Sequence, residues 1–277
     1  MSKNRTKKRK QFLKPWKTIG WGRRVWRVVW MAAAAVVLFT WLQVLLGLFL
    51  NPPLTPLMVQ RFFQQLGDGD RPVRFERDYV PIDDISPNLI TAVVYAEDGL
   101  FMYHKGFDVR QMKIAYLDHK KGRRTRGASS ISQQTAKNAF LPHSRTLWRK
   151  GAEMYYTLLI EAVWGKRRIM EVYLNIVEFG DGIYGAEAAA QHYFHHSAAK
   201  LTRNEASQLA ATLPAPLVRN PAHQSPYFKR QTNTIQQRFK WGNVDIKEPK
   251  DKRKKKYPDQ ETLLDFFRWY MEVRNGK

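Results

Sequence analysis

Residues 86–108 read SPNLITAVVYAEDGLFMYHKGFD, and the first half of that stretch decides what kind of domain the chain builds. Ser86 offers a hydroxyl to the unsatisfied N–H groups that open a helix, and Pro87 suits a first turn that needs no N–H donor. Leu89, Ile90, Val93 and Val94 then recur at helical spacing, which predicts a helix running to about Glu97 with an apolar face turned to a core. Beyond it come Glu97, Asp98, Phe101, His104, Gly106 and Asp108 in one short loop. Each has a plain explanation: a carboxylate at a helix end in solvent, a hydrogen-bonded structural histidine, an aspartate capping the next helix. As a cluster they say more. A helix end passing into a glycine-containing loop can hold Glu97 at the lip of a cleft, partly desolvated, where a raised pKa suits it to taking a proton from a hydroxyl.

Working outward, the pattern stays helical. Thr146 to Trp164 has apolar residues at helical spacing, with Gly165 placed to end the helix. Shorter patterns cover Arg168 to Leu174, Ala186 to Tyr193 and Arg203 to Leu213, the last opened by the capping box Thr202-x-x-Glu205 and closed by Pro214. Upstream, Tyr79 to Ile85 reads as an extended approach and Met58 to Leu66 as an amphipathic piece after the proline-rich exit Asn51 to Pro56. The domain is expected to be mainly α.

Two further stretches carry groups with chemistry. Arg126 to Asn138, RGASSISQQTAKN, is a run of small, hydroxyl and amide residues bracketed by cations. Small residues let the backbone approach a ligand, hydroxyls and amides suit sugar hydroxyls and phosphate oxygens, and Arg126 and Lys137 can neutralise a pyrophosphate. A polar loop entering a helix is the plainer reading. Arg145, Arg149, Lys150 and Glu153 then open the next helix, where Arg149 and Glu153 four residues apart could be an ordinary surface ion pair. Three separate segments thus bring a base, cations for a leaving group and a second carboxylate to order them, the set that displacement of a phosphorylated sugar requires.

The 277 residues suffice for one domain of about 150 to 200 residues with an anchor and tails. A formal charge of +23 raises nucleic acid as a partner, but residues 1–27 hold eleven Lys or Arg and no acid, so about half of the excess sits in a tail. That tail adjoins Val28 to Leu50, 23 residues without a charge, long enough for a hydrocarbon core that needs about 20. The run reads as a retained transmembrane helix, since no small-x-small cleavage site follows it. The positive-inside rule puts the N-terminus in the cytoplasm and everything after Asn51 outside. With no cysteine, compartment rests on topology alone. The expected division is a cytoplasmic basic tail (1–27), a transmembrane helix (28–50), a membrane-proximal linker (51–84), a catalytic domain (85–242) and a basic tail with an amphipathic helix (243–277). In that last part, KEPKDKRKKK (247–256) precedes helical spacing from Gln260 to Val273. A solvated linker with a packed helix is the plainer reading, and contact with anionic lipid the alternative.

The motifs EDGLFMYHKGFD (97–108), RGASSISQQTAKN (126–138), RKGAE (149–153) and RIMEVYLN (168–175) stand in an order that resembles the peptidoglycan glycosyltransferases, glycosyltransferase family 51, over about Ile85 to Pro221. With no penicillin-binding domain following, the resemblance is to the monofunctional branch. It implies a lysozyme-like, mainly α glycosyltransferase domain, preceded here by a single N-terminal transmembrane helix, that extends a glycan strand from lipid II. Glu97 would be the general base that frees the acceptor 4-hydroxyl for an inverting attack, forming a β-1,4 bond and expelling undecaprenyl pyrophosphate. Lys137 and Arg145, with Arg126 assisting, would hold the donor pyrophosphate, and Glu153 would be the second essential glutamate. Asp98, Phe101, His104, Ser129, Gln133, Gln134 and Asn138 match residues of the substrate cleft, and Glu171, Tyr173 and Asn175 a mainly structural motif. No cofactor is certain; a divalent cation, magnesium or manganese, at the pyrophosphate is left open, and the metal ligands are unknown. The partners implied are lipid II, the growing strand, membrane lipids and proteins of cell-wall synthesis or division, with no nucleic acid. The place implied is the inner (cytoplasmic) membrane, the domain facing the periplasm or exterior. Ser130 stands where threonine is more usual, and the chain beyond about Asn243 departs from the family. A lytic enzyme on the same fold, with Glu97 as an acid, is the alternative, and the cation-rich second and third motifs argue against it.

Overall fold

The computed structural model describes residues 20–69, 73–123, 127–142, 144, 146–247 and 261–274. The expectations for residues 1–19, Arg126, Arg145 and residues 248–260 lie outside that set. By its contacts the chain divides between Leu46 and Gly47 into two units.

Helix α1 (Trp21–Phe49) is one unbroken run of 29 residues. At about 1.5 Å per residue it extends ~43 Å, beyond the ~30 Å of a hydrocarbon core. It starts before Val28 and takes in Arg23, Arg24 and Arg27, because the main-chain ladder continues into the basic flank; the N–H groups of Arg23 and Arg24 bond to the Gly20 carbonyl at 3.0 and 3.2 Å. Trp26, Trp30, Leu38 and Phe39 stand exposed along it. Length and composition are compatible with a single-pass membrane anchor.

The second unit runs α2 (Pro56–Gly67), β1 (Glu76–Arg77), a 3-10 turn (Ile82–Asp84), α3 (Pro87–Glu97), α4 (Val109–Lys120), α5 (Ile131–Phe140), α6 (Leu147–Val163), α7 (Lys166–Ile176), β2 (Glu178–Gly180), β3 (Ile183–Tyr184), α8 (Ala186–Phe194), a second 3-10 turn (Ala198–Lys200), α9 (Arg203–Thr212), α10 (Pro226–Arg238), a third 3-10 turn (Phe239–Trp241) and α11 (Leu263–Arg274). It is mainly α, as its patterning predicts. Helix α3 begins where Ser86 and Pro87 place it, the Ser86 hydroxyl accepting from the Asn88 N–H at 3.3 Å. Its six residues from Leu89 to Val94 are all buried, not one face alone, because α9 and α10 pack against it. A segment rich in Val, Ile and Thr has modest helix propensity, so burial at about 1.5–3 kcal/mol for each large aliphatic side chain holds it.

Helix α5 lies against α6 and α7 and opens with a capping box. Ser130 Oγ accepts from the Gln133 N–H, and Gln133 Oε1 from the Ser130 N–H, each at 3.1 Å. The box at Thr202 and Glu205 opens α9 as predicted. Gly165 does not end α6 with a left-handed turn. Its φ is −71° and it serves as the N-cap of α7, while Trp164 makes the break in extended conformation with its ring buried beside Phe140, centroids 5.9 Å apart.

A three-stranded sheet of order β1-β3-β2 went unread in the sequence; β1 pairs parallel to β3, and β2 antiparallel with a bulge. Strands of two or three residues are too short to show a period of two. Gly182 between them has φ +73°, and a Cβ there would lie 2.1 Å from the Arg74 carbonyl oxygen, so only glycine fits. Helix α7 straps the approach to α3. Glu171 accepts from Tyr79 Oη at 2.9 Å and the Ile82 N–H at 3.1 Å, and Asn175 exchanges 3.0 Å bonds with both main-chain groups of Val80. The described C-terminal residues rest on this unit: the Val244 N–H donates to Thr91 Oγ1 at 3.1 Å, and α11 packs on α4.

Asn175→Ala is expected to cost about 1–3 kcal/mol of folding free energy, since Val80 loses partners for two main-chain groups. Chemical denaturation of the detergent-solubilised chain checks this, and an unchanged midpoint would show that the strap carries no stability.

Candidate active site

The centre of the site is one face of α5. Lys137 stands four residues from Gln133 and three from Gln134, so it shares a helix surface with each of the two glutamines. Gln134 Nε2 donates to Glu97 Oε2 at 2.8 Å, and Gln134 Oε1 accepts from Tyr173 Oη at 3.2 Å. Tyr173 is fully buried, and burial pushes its phenol well above the ordinary range, so it remains a donor. That donor fixes the Gln134 amide with its N–H toward Glu97. Gln133 Nε2 lies 3.4 Å from Glu153 Oε1, so neighbouring glutamines of one helix reach the two carboxylates that the sequence singles out.

Glu97 sits at the last residue of α3, half-buried. Loss of water raises its pKa first of all; the Gln134 bond lowers it, the Asp98 charge raises it, and the charges of Arg219 and Lys137 lower it. Lys137, also half-buried, is shifted the other way. Desolvation lowers its pKa, Glu153 raises it, and the charges of Arg149 and Lys150 lower it. A carboxyl and an ammonium, each disfavoured in its charged form by burial, are therefore held close enough for their charges to be felt. Burial-shifted groups of this kind, with charge partners beside them, make a functional-site candidate.

Glu153 lies in the second turn of α6 with its side chain 3% exposed, and accepts from Arg149 Nη1 at 2.6 Å and from Lys150 Nζ. The i,i+4 pair of the plain reading thus exists, but around a buried carboxylate it collects cations rather than decorating a surface. Both oxygens of Glu153 are so engaged, and among the described residues no three His, Asp or Glu side chains converge.

Asp98, Phe101 and His104 are buried. Asp98 bonds through both oxygens to His104 Nε2 at 2.9 Å, and Oδ2 also accepts from the Ile131 N–H at 2.9 Å. Phe101 packs edge-on to His104, with Lys166 Nζ 4.6 Å from its ring centre. Gly106, at φ +89°, brings its carbonyl to Ser130 Oγ and passes so close to α6 that a Cβ would lie 2.8 Å from Thr157 Cγ2. Ser129 is half-buried just before α5, and Asn138 is buried. Gln134, Lys137 and Asn138 line a cavity of about 360 Å³ with Leu57 and Arg61 of α2, Glu178 of β2 and the loop from Leu213 to Val218. Arg61 pairs with Glu178 at 3.2 Å, where burial raises the carboxyl pKa more than Arg61 lowers it. Arg219, Arg61 and Glu178 escaped the sequence reading, because nothing local ties them to Glu97; the arginine and proline of Arg219-Asn220-Pro221 were the only signal.

Residues 64–240 match the family model described as transglycosylase, well over half of the chain. The chain belongs to the transglycosylase family. It is 44% identical to the biosynthetic peptidoglycan transglycosylase of Pseudomonas syringae pv. syringae over 79% of this chain and 90% of that protein. Proteins of the same name are 48% identical in Caulobacter vibrioides, over 69% of this chain and 81% of theirs, and 45% identical in Bacteroides thetaiotaomicron, over 78% and 90%. The helical unit around α3 and α5 is therefore a transglycosylase domain of lysozyme-like fold, and the protein is a glycosyltransferase.

The Gln134 donor stabilises the Glu97 anion, so its loss in Gln134→Ala should raise the Glu97 pKa further. If transfer needs the anion, the acid limb of kcat against pH moves to higher pH in that transglycosylase variant. A limb that stays in place would separate Glu97 from the titration that limits the rate.

Proposed function

We propose that this transglycosylase lengthens peptidoglycan strands from lipid II at the outer face of the cytoplasmic membrane, with α1 as its single anchor and the N-terminus inside. The observation that carries the reading is α5 itself, which carries Gln134 bonded to Glu97, Gln133 beside Glu153, and Lys137 one turn further along. Glu97 supplies a base for a hydroxyl, and Lys137, Arg149 and Lys150 supply positive charge to receive an anion.

In this mechanism Glu97 takes the proton of the acceptor 4-hydroxyl as its oxygen attacks the anomeric carbon of the donor sugar. The bond from that carbon to pyrophosphate breaks with its electron pair on the phosphate oxygen, and inversion leaves a β-1,4 link. Burial supports the proton transfer, because a carboxylate poorly solvated before the reaction loses little by accepting a proton. The lipid pyrophosphate departs carrying negative charge, which Lys137 meets, backed by the Arg149 and Lys150 cluster that Glu153 holds in place. Arg126 and Arg145 join the donor side in this reading, and Ser129 and Asn138 the cleft. Asp98, Phe101 and His104 act on substrate indirectly, by seating Glu97. A polyprenyl-linked substrate stays in the bilayer, which is the reason for an anchored enzyme.

With labelled lipid II, Glu97→Gln should reduce strand formation by roughly 10²–10⁴-fold, the usual contribution of a positioned general base, while lipid II still binds. Full activity in that variant would remove Glu97 from the role, and shortening of preformed strands by the parent would make the enzyme lytic. Lys137→Ala should weaken the donor side more than the acceptor side in separate binding measurements; equal losses would count against the pyrophosphate assignment.

A further inference from the structure

Helix α11 lies outside the 64–240 family match, and its two faces differ. The inner face is occupied. Tyr116 of α4 meets Trp269 and Tyr270 edge-on, centroids 5.6 and 5.2 Å away, Lys113 lies 5.5 Å from the Trp269 ring centre, and Lys113 Nζ pairs with Glu261 at 2.6 Å just before the helix. Leu263, Phe266 and Val273 turn the same way and are half-buried.

The outer face carries Leu264, Phe267 and Met271, 75%, 46% and 51% exposed, on one stripe three and four residues apart. Arg268, with its side chain 76% exposed, and Arg274 flank that stripe, and Asp265 and Glu272 lie to one margin. Large apolar side chains between arginines, on a helix already docked by its other side, fit a water–lipid boundary: the apolar groups enter the acyl edge and the guanidinium groups meet phosphates. Charge selects the kind of surface. Residues 247–256, just upstream in the sequence, carry seven Lys or Arg against two acids, which favours an anionic bilayer.

We infer that the outer face of α11 is a second membrane contact, one that seats the α4 side of the transglycosylase domain on anionic lipid head groups through Leu264, Phe267, Met271, Arg268 and Arg274. The inference rests on the reading of this enzyme as membrane-anchored. It differs from α1 in kind, since a helix of 12 residues is too short to span and can only lie in the interface.

The chain contains no cysteine, so one dye can be placed by Leu264→Cys and, as an inward control, by Leu263→Cys. Full-length protein carrying the NBD fluorophore would be reconstituted in nanodiscs of phosphatidylcholine alone or mixed with phosphatidylglycerol. At position 264 the anionic discs should give a blue shift with roughly a two-fold or greater gain in emission, and quenching by spin-labelled lipid, as for a dye entering the acyl boundary; position 263 should change little. Adding Arg268→Glu and Arg274→Glu should abolish the dependence on phosphatidylglycerol. A dye at 264 that stays in water in both lipids overturns the inference. So does an emission change that follows protein concentration without lipid quenching, which would assign the face to a second copy of the chain. Lipid II polymerisation by the labelled protein, measured in detergent, reports separately on the proposed activity.

Discussion

The Asp98 carboxylate is the constraint from which the rest of the site follows. One buried side chain accepts from His104 and from the Ile131 N–H, and so joins the loop after α3 to the first turn of α5. Placed at a helix N-terminus, that carboxylate meets N–H groups with no partner inside the helix, which suits a negative charge. Its neighbour in sequence is Glu97. Whatever fixes Asp98 against α5 also fixes how far Glu97 stands from Gln134 and Lys137 on that helix. The contact of Ser130 Oγ with the Gly106 carbonyl ties the same loop at its far end, so the segment from Glu97 to Asp108 is held at both ends by the helix it faces.

With that geometry set, the electrostatics of the site arise from competition rather than from pairing. Lost water raises the pKa of Glu97 and lowers that of Lys137, in each case outweighing the charges and hydrogen bonds around the group. Glu153 lies near Lys137, but Arg149 and Lys150 already engage its oxygens. Their positive charges push on Lys137 while Glu153 holds them close. A site so arranged sets an excess of cation close to a poorly solvated base.

The described parts outside the family match add attachment rather than chemistry. Val244 bonds to Thr91 of α3, Ile246 is buried, and α11 covers an aromatic of α4. An added helix that spends its aromatic side on the domain still leaves Leu264, Phe267 and Met271 outward, a cost in water that a soluble accessory helix would normally avoid.

Read from the chain alone, the helices were legible wherever local chemistry sets them. Ser86-Pro87 starts α3, Thr202 and Glu205 start α9, and the uncharged run after Arg27 belongs to one long helix. The box Ser130-x-x-Gln133 is equally readable as a helix start. Glu97, Lys137 and Glu153 could be proposed as a set because their residue types answer the needs of one reaction. Local sequence could not decide that Asp98 and His104 face inward, that Gly165 starts a helix instead of ending one, or that Arg219 and Glu178 join the neighbourhood of the cleft. Those outcomes depend on which surfaces meet after α3, α5, α7 and α9 pack. Caps and periodicity are set within a few residues of chain, whereas burial, and with it every shifted pKa in this site, is created only when distant segments exclude water from one another.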